Sequence, residues 1–188
     1  MISMIWQILF YGWTASEIYI AVATRTGKSG GKERDRGSQW VMWGTIVIAI
    51  FAAEFIGHTA PATISGGALG LQLTAIAVIA AGLTVRWTAI LSLGKAFSAN
   101  VAIRHTQTIY RSGIYRCLRH PSYTGLLLVF AAIALHERNW LAAGAVLLPT
   151  TAAVLYRIRI EEAVLHEAFG AEYEAYSKIT WRLIPGVY

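Results

Sequence analysis

Residues 122–157 read SYTGLLLVFAAIALHERNWLAAGAVLLPTTAAVLYR. Two apolar runs, about 122–136 and 140–157, are separated only by His136-Glu137-Arg138-Asn139. Such a pair predicts a helical hairpin whose polar tip reaches an interface. Working outward, three longer runs precede it, at roughly 4–22, 40–58 and 68–92. Each is long enough to cross about 30 Å of hydrocarbon at about 1.5 Å per residue. The first has no basic leading region and is interrupted by Glu17, so it reads as a retained helix and not a cleaved signal. The prediction is an all-α integral membrane protein with five membrane-embedded helices, the last two a hairpin.

Composition agrees. Of 188 residues, 56% are hydrophobic and only 14% charged, far from an ordinary soluble balance. Charge placement sets the orientation. Arg25, Lys28, Lys32, Arg34 and Arg36 follow the first helix; Lys95, Arg104, Arg111, Arg116 and Arg119 follow the third; Arg159, Lys178 and Arg182 follow the fifth. The opposite loops, 59–67 and 136–139, hold only Arg138. The positive-inside rule then puts the N-terminus outside and the C-terminus in the cytoplasm, across the inner membrane if the chain is bacterial. The net charge of +6 is mostly this topology signal, with attraction to anionic lipid second. It does not indicate nucleic acid, which needs basic charge on one face interleaved with stacking aromatics.

The chain is expected to be one domain in two parts. Residues 1–92 hold membrane helices 1–3 and a solvated basic loop, 25–39; residues 93–188 hold the chemistry. The glycines of 25–39, and Gly66-Gly67-Ala68-Leu69-Gly70, lie in no strand–turn–helix context, so neither is a phosphate loop or dinucleotide fingerprint. Cys117 excludes an intrachain disulfide; beside Arg116 and Arg119 it is either a reactive thiol or a small filler. His58, His136 and His166 show no metal-ligand pairing, and no metal is expected. Glu17 and Glu54 lie in membrane runs and are functional candidates by default.

Two polar clusters share the basic side. One is the loop with Tyr115, Arg119, His120, Pro121, Ser122 and Tyr123, where Pro121 is a plausible first residue of a helix. The other is the exit of the fifth helix. There Arg157 and Glu161 lie one turn apart on one face, while Arg159 and Glu162 share another, which alone would be an ion pair at a helix end. Beyond Arg157 the pattern predicts an amphipathic helix leaving the bilayer, interrupted at Gly170, with Tyr173 and Tyr176 on an interfacial or partner-facing surface. Charged groups near the membrane are costly unless paired or facing a cavity, so two clusters at one leaflet predict a polar pocket between helices.

Gly113-Ile114-Tyr115, Arg119-His120-Pro121-Ser122-Tyr123-Thr124-Gly125, Arg157 with Glu161-Glu162, Phe169-Gly170-Ala171-Glu172-Tyr173 and Ile184-Pro185 follow in that order. Across residues 93–186 this pattern resembles the isoprenylcysteine carboxyl methyltransferase family, and related phospholipid N-methyltransferases share its outline. The resemblance implies methyl transfer from S-adenosylmethionine to a lipophilic acceptor, a small molecule or a prenylated protein, at the cytoplasmic face. It implies a cofactor site of Gln107, Thr108, Ile109, Tyr110, Tyr115, His120, Pro121, Ser122, Tyr123 and Glu161. It further implies that Arg157 binds the acceptor carboxylate and, with Glu161, forms the catalytic pair. The family often has histidine where this chain has Gln107, and here His105 stands two positions earlier.

The chemistry of these side chains agrees with that implication. A sulfonium is held by anionic and aromatic groups, which Glu161, Tyr115 and Tyr123 supply. Arg157 suits alignment of a carboxylate for in-line attack, which needs no base. An amine acceptor would need one, and His120, His105 or Glu162 are the candidates. Phospholipid or amine N-methylation is therefore the alternative within methyl transfer. An NADPH-dependent sterol-type reductase, similar to the family in its C-terminal portion, and a non-catalytic module binding lipid or a partner through loop 25–39 are the other readings.

Overall fold

The computed structural model describes residues 1–23, 32–33, 37–65, 67–94, 97, 102–103 and 108–188. Six α-helices follow one another: α1 (Ile2–Ala23), α2 (Ser38–Thr59), α3 (Ala68–Leu93), α4 (Pro121–Glu137), α5 (Trp140–Phe169) and α6 (Ala171–Lys178). A one-turn 3-10 helix, Gly113–Arg116, precedes α4. One departure from an all-helical chain is a two-residue antiparallel pairing of β1 (Lys32–Glu33) with β2 (Ala102–Ile103). It joins the expected basic loop to the polar stretch before α4, two segments that sequence alone treats as independent. Residues 25–31 and 34–36 of that loop lie outside the described residues, and its expected last two, Ser38 and Gln39, already belong to α2, which Gly37 precedes.

Helices α2, α3 and α5 are long and apolar enough to cross a membrane, while α4 is apolar but spans 17 residues. Phe51, Phe55, Ile48, Leu91 and Leu148 are exposed on their surfaces, as expected where lipid replaces water as solvent. The interior is built from Ile46, Ile79, Leu126, Val129, Phe130, Val146, Val154 and Ile158. Helix α3 packs along α4, α2 along α5, α4 against α5, and α1 against α3.

Lipid tails are as apolar as leucine, so association of such helices rests on close packing and interhelical hydrogen bonds. Both occur where α3 crosses α4. A Cβ on Gly82 would lie 2.8 Å from the Gly125 carbonyl oxygen, and one on Gly125 would lie 2.6 Å from the Arg86 nitrogen. Gly125, the last residue of the RHPSYTG stretch, is thus glycine because the α3 backbone lies against it. One turn further on, Arg86 of α3 forms a buried bidentate ion pair with Glu17 of α1.

The α4–α5 hairpin turns as its sequence predicts. Arg138 takes a left-handed conformation (φ 51°), and Asn139 caps α5 by accepting from the Leu141 and Ala142 amides at 2.9 and 3.1 Å. The tip is also tied to the α2–α3 connection. Asn139 Nδ2 donates to the Ala60 carbonyl at 2.8 Å, and Ile64 N–H donates to that of Arg138 at 2.8 Å. Helix α5 then runs unbroken past Arg157 to Phe169, and Gly170 at φ 50° ends it and starts α6.

Candidate functional site

The site lies at the N-terminal end of α4, the end opposite the hairpin. Pro121 is the first residue of α4, where its missing N–H has no helical partner to lose. The preceding loop is held by the C-terminal segment: Arg119 N–H donates to the Trp181 carbonyl at 2.7 Å, Trp181 N–H to Cys117 at 2.9 Å, and His120 N–H to Arg182 at 3.0 Å. Thr124 Oγ1 adds a bond to the Leu183 carbonyl at 2.8 Å.

The adjacent glutamates of α5 take different surroundings. Glu162 is a clamp: Oε1 meets Arg119 Nε at 3.1 Å and His120 Nε2 at 3.2 Å, while Oε2 accepts from Arg182 Nε at 2.9 Å. Its carboxylate raises the Arg182 guanidinium above its ordinary pKa by direct hydrogen bonding. Arg119 also donates to the Ser177 carbonyl at 2.7 Å and to that of Thr180. One carboxylate therefore joins the loop, α5 and the C-terminal segment. The cations on Glu162 come from the loop and the C-terminal segment, whereas Arg159, the neighbour expected from helical spacing, is exposed.

Glu161 turns elsewhere, toward two tyrosines. Tyr115 is buried, donates to the Ala89 carbonyl of α3 at 3.3 Å, and accepts on its own carbonyl from the Tyr176 hydroxyl at 2.8 Å. Burial, and then the nearby Glu161 carboxylate, push the Tyr115 phenol above the ordinary tyrosine range, so it remains a neutral donor. The Tyr123 hydroxyl faces both Glu161 and Arg157, accepting from Arg157 Nε at 3.4 Å. Arg157, 1% exposed, reaches in the other direction to Ser38 Oγ at the start of α2. Tyr115, Tyr123, Arg157 and Glu161 thus converge, from four stretches of chain when Ser38 is counted.

The other expected site residues fall around this cluster. Tyr110 is at its edge, its ring perpendicular to that of Tyr115 with centroids 5.6 Å apart; Ile109 is half-buried and Thr108 exposed. Gln107 and His105 lie outside the described residues. The His120 ring is turned to Glu162, and Ser122 is buried against α3, where its Oγ and carbonyl accept from Arg86 Nη1 at 2.9 and 3.1 Å. Cys117 is exposed. Among the described residues no group of three His, Cys, Asp or Glu side chains could hold a metal.

Sequence reasoning did not single out Ser38 or Arg86, and counted Arg182 only as a topology charge. Arg86 carried a signal: a lone charge inside an otherwise apolar 26-residue helix marks a paired or functional group. Ser38 carried none, because a serine opening a helix after a glycine is ordinary.

The family model for isoprenylcysteine carboxyl methyltransferases matches residues 73–167, half of the chain. Protein-S-isoprenylcysteine O-methyltransferase B of Arabidopsis thaliana is 30% identical over 105 residues, 55% of this chain and 53% of that protein. The Schizosaccharomyces pombe protein-S-isoprenylcysteine O-methyltransferase is 30% identical over 109 residues, 57% of this chain and 46% of its own. This chain therefore spans about half the length of the curated relatives it matches. The solved structure of a eukaryotic intramembrane Ras methyltransferase superposes with a TM-score of 0.60 at 24% identity, covering 78% of this chain and 53% of that one, which is a likeness of fold. A family model that matches half of the chain, relatives of similar sequence and a likeness of fold lead to one conclusion: the chain belongs to the isoprenylcysteine carboxyl methyltransferase family.

Proposed function

We propose that this chain is an integral membrane methyltransferase that transfers a methyl group from S-adenosylmethionine to the carboxylate of a lipophilic, isoprenylcysteine-like acceptor. The observation that carries the reading is the convergence of Tyr115 and Tyr123 on Glu161, with the buried Arg157 bonded to Tyr123.

The residues fit both reactants. S-adenosylmethionine supplies an electrophilic methyl on a sulfonium and leaves as a neutral thioether. Glu161 is the one carboxylate of its pair not drawn into the Glu162 clamp, and with Tyr115 and Tyr123 it makes an anionic, aromatic wall for that cation. Thr108, Ile109 and Tyr110 extend the wall, and Gln107 belongs to the same proposed stretch. Pro121 shapes the helix start. His120 and Ser122 hold the loop through Glu162 and Arg86, while their backbone remains beside the site. Arg157 carries the acceptor role: buried and bonded to the hydroxyls of Tyr123 and Ser38, its planar guanidinium offers the charge-assisted hydrogen bonds by which a carboxylate is held and aligned for in-line attack. Both reacting charges are consumed as the ester forms, so a pocket that excludes water favours the step once both are bound. No general base is needed.

The reading includes five membrane-embedded helices, an outside N-terminus and a cytoplasmic C-terminus, with the acceptor arriving from lipid and the cofactor from the cytoplasm. Calorimetry tests it with detergent-purified protein, S-adenosylmethionine and S-adenosylhomocysteine. Saturable binding of both, weakened in Glu161→Gln, is expected; a folded protein that binds neither would overturn the assignment.

A further inference from the structure

The membrane half of the chain contributes more than a lipid anchor. Four polar side chains meet where α1, α3 and α4 cross: Glu17, Arg86, Ser122 and Trp13. Glu17, Arg86 and Ser122 are 3%, 4% and 8% exposed. Every nitrogen of the Arg86 guanidinium is engaged. Its Nε and Nη2 meet the two Glu17 oxygens, and its Nη1 donates to both the Oγ and the carbonyl of Ser122. Trp13 Nε1 donates to Glu17 Oε1 at 3.1 Å, which fixes the carboxylate from its own helix.

The same turn of α3 supports both site tyrosines. Ser122 immediately precedes Tyr123, and three residues after Arg86 the Ala89 carbonyl accepts the Tyr115 hydroxyl. The Gly82–Gly125 contact brings α3 close enough for this. A plain α1–α3 ion pair would need neither Ser122 nor this register. We infer that Glu17 and Arg86 are positioning residues: the α1–α3 pair orients Ser122 and hence Tyr123, setting the wall against which Glu161 and Arg157 work. This rests on the function proposed above, and it makes α1 a determinant of cofactor affinity.

The alternative is a pair that merely fastens α1 to the bundle, and paired substitutions separate the two. Replacing both partners by apolar residues, Glu17→Leu with Arg86→Met, removes the buried charges together and is compatible with folding. The reversal Glu17→Arg with Arg86→Glu restores an ion pair but leaves no donor for Ser122. Melting in detergent establishes that each variant is folded. Two readouts follow: S-adenosylhomocysteine affinity, and amide exchange of a peptide covering residues 119–125, which does not depend on any ligand. The positioning role gives, in either folded variant, affinity about tenfold weaker, the worth of one charge-assisted hydrogen bond, and faster exchange at the start of α4. A folded variant with wild-type exchange in 119–125 overturns it, as does wild-type affinity. If wild-type protein binds no S-adenosylhomocysteine, the proposed function falls, and the exchange readout still decides whether Arg86 orders this turn.

Discussion

Glu161 and Glu162 are chemically identical neighbours, and their surroundings assign them opposite phenotypes. Glu162→Gln removes the charge that collects Arg119, Arg182 and the His120 ring. It is expected to lower stability by about 1–3 kcal/mol, the range for a partly buried charge-assisted network, as a fall in melting temperature without ligand. Glu161→Gln is expected to leave that temperature nearly unchanged and to weaken S-adenosylhomocysteine about tenfold or more, seen by titration. Equal effects of the two changes on stability would sink the distinction. Arg157→Lys keeps the charge but loses the planar fork spanning Ser38 and Tyr123. Turnover is expected to drop by about 100-fold with cofactor affinity retained, because a misplacement of about 1 Å costs that much in rate.

The helices were largely legible in the sequence, because run length, the HERN break and Pro121 are local signals. Contacts between helices were not. Gly125 shows why: within its motif it reads as a flexible residue, and only the α3 backbone pressed on it explains its lack of a side chain. Gly125→Ala is expected to cost about 1–3 kcal/mol by overpacking, measured as lowered thermal stability in detergent, since the atoms in the way are backbone and cannot rotate aside. The two glutamates were legible as a pair but not as two roles, because helical spacing names Arg159 as the partner of Glu162 and cannot foresee the C-terminal segment folding back with Arg182. Arg86 was hidden by averaging: one charge hardly changes the hydropathy of a long apolar run.

At the scale of the molecule, the division expected from sequence, membrane helices in 1–92 and the chemistry in 93–188, is one of motifs. Ser38 and Arg86, both from the first part, bond to Arg157 and Ser122 of the second. Orientation is open to direct test through the chain's sole cysteine, Cys117, exposed in the loop beside the site. A membrane-impermeant thiol reagent is expected to label inverted vesicles and not right-side-out ones; labelling from the other side would reverse the proposed topology.

The central claim, carboxylate O-methylation, is tested most directly by the bond that is made. Membranes or detergent-purified protein would be given S-adenosylmethionine with a labelled methyl group and a farnesylated cysteine analogue carrying a free carboxylate. The expected product is an ester, whose label is released as methanol by mild base in wild type and is strongly reduced in Arg157→Lys. A base-stable labelled product would contradict the account in favour of transfer to nitrogen or sulfur, and no product from protein that binds the cofactor would mean that this acceptor class is wrong.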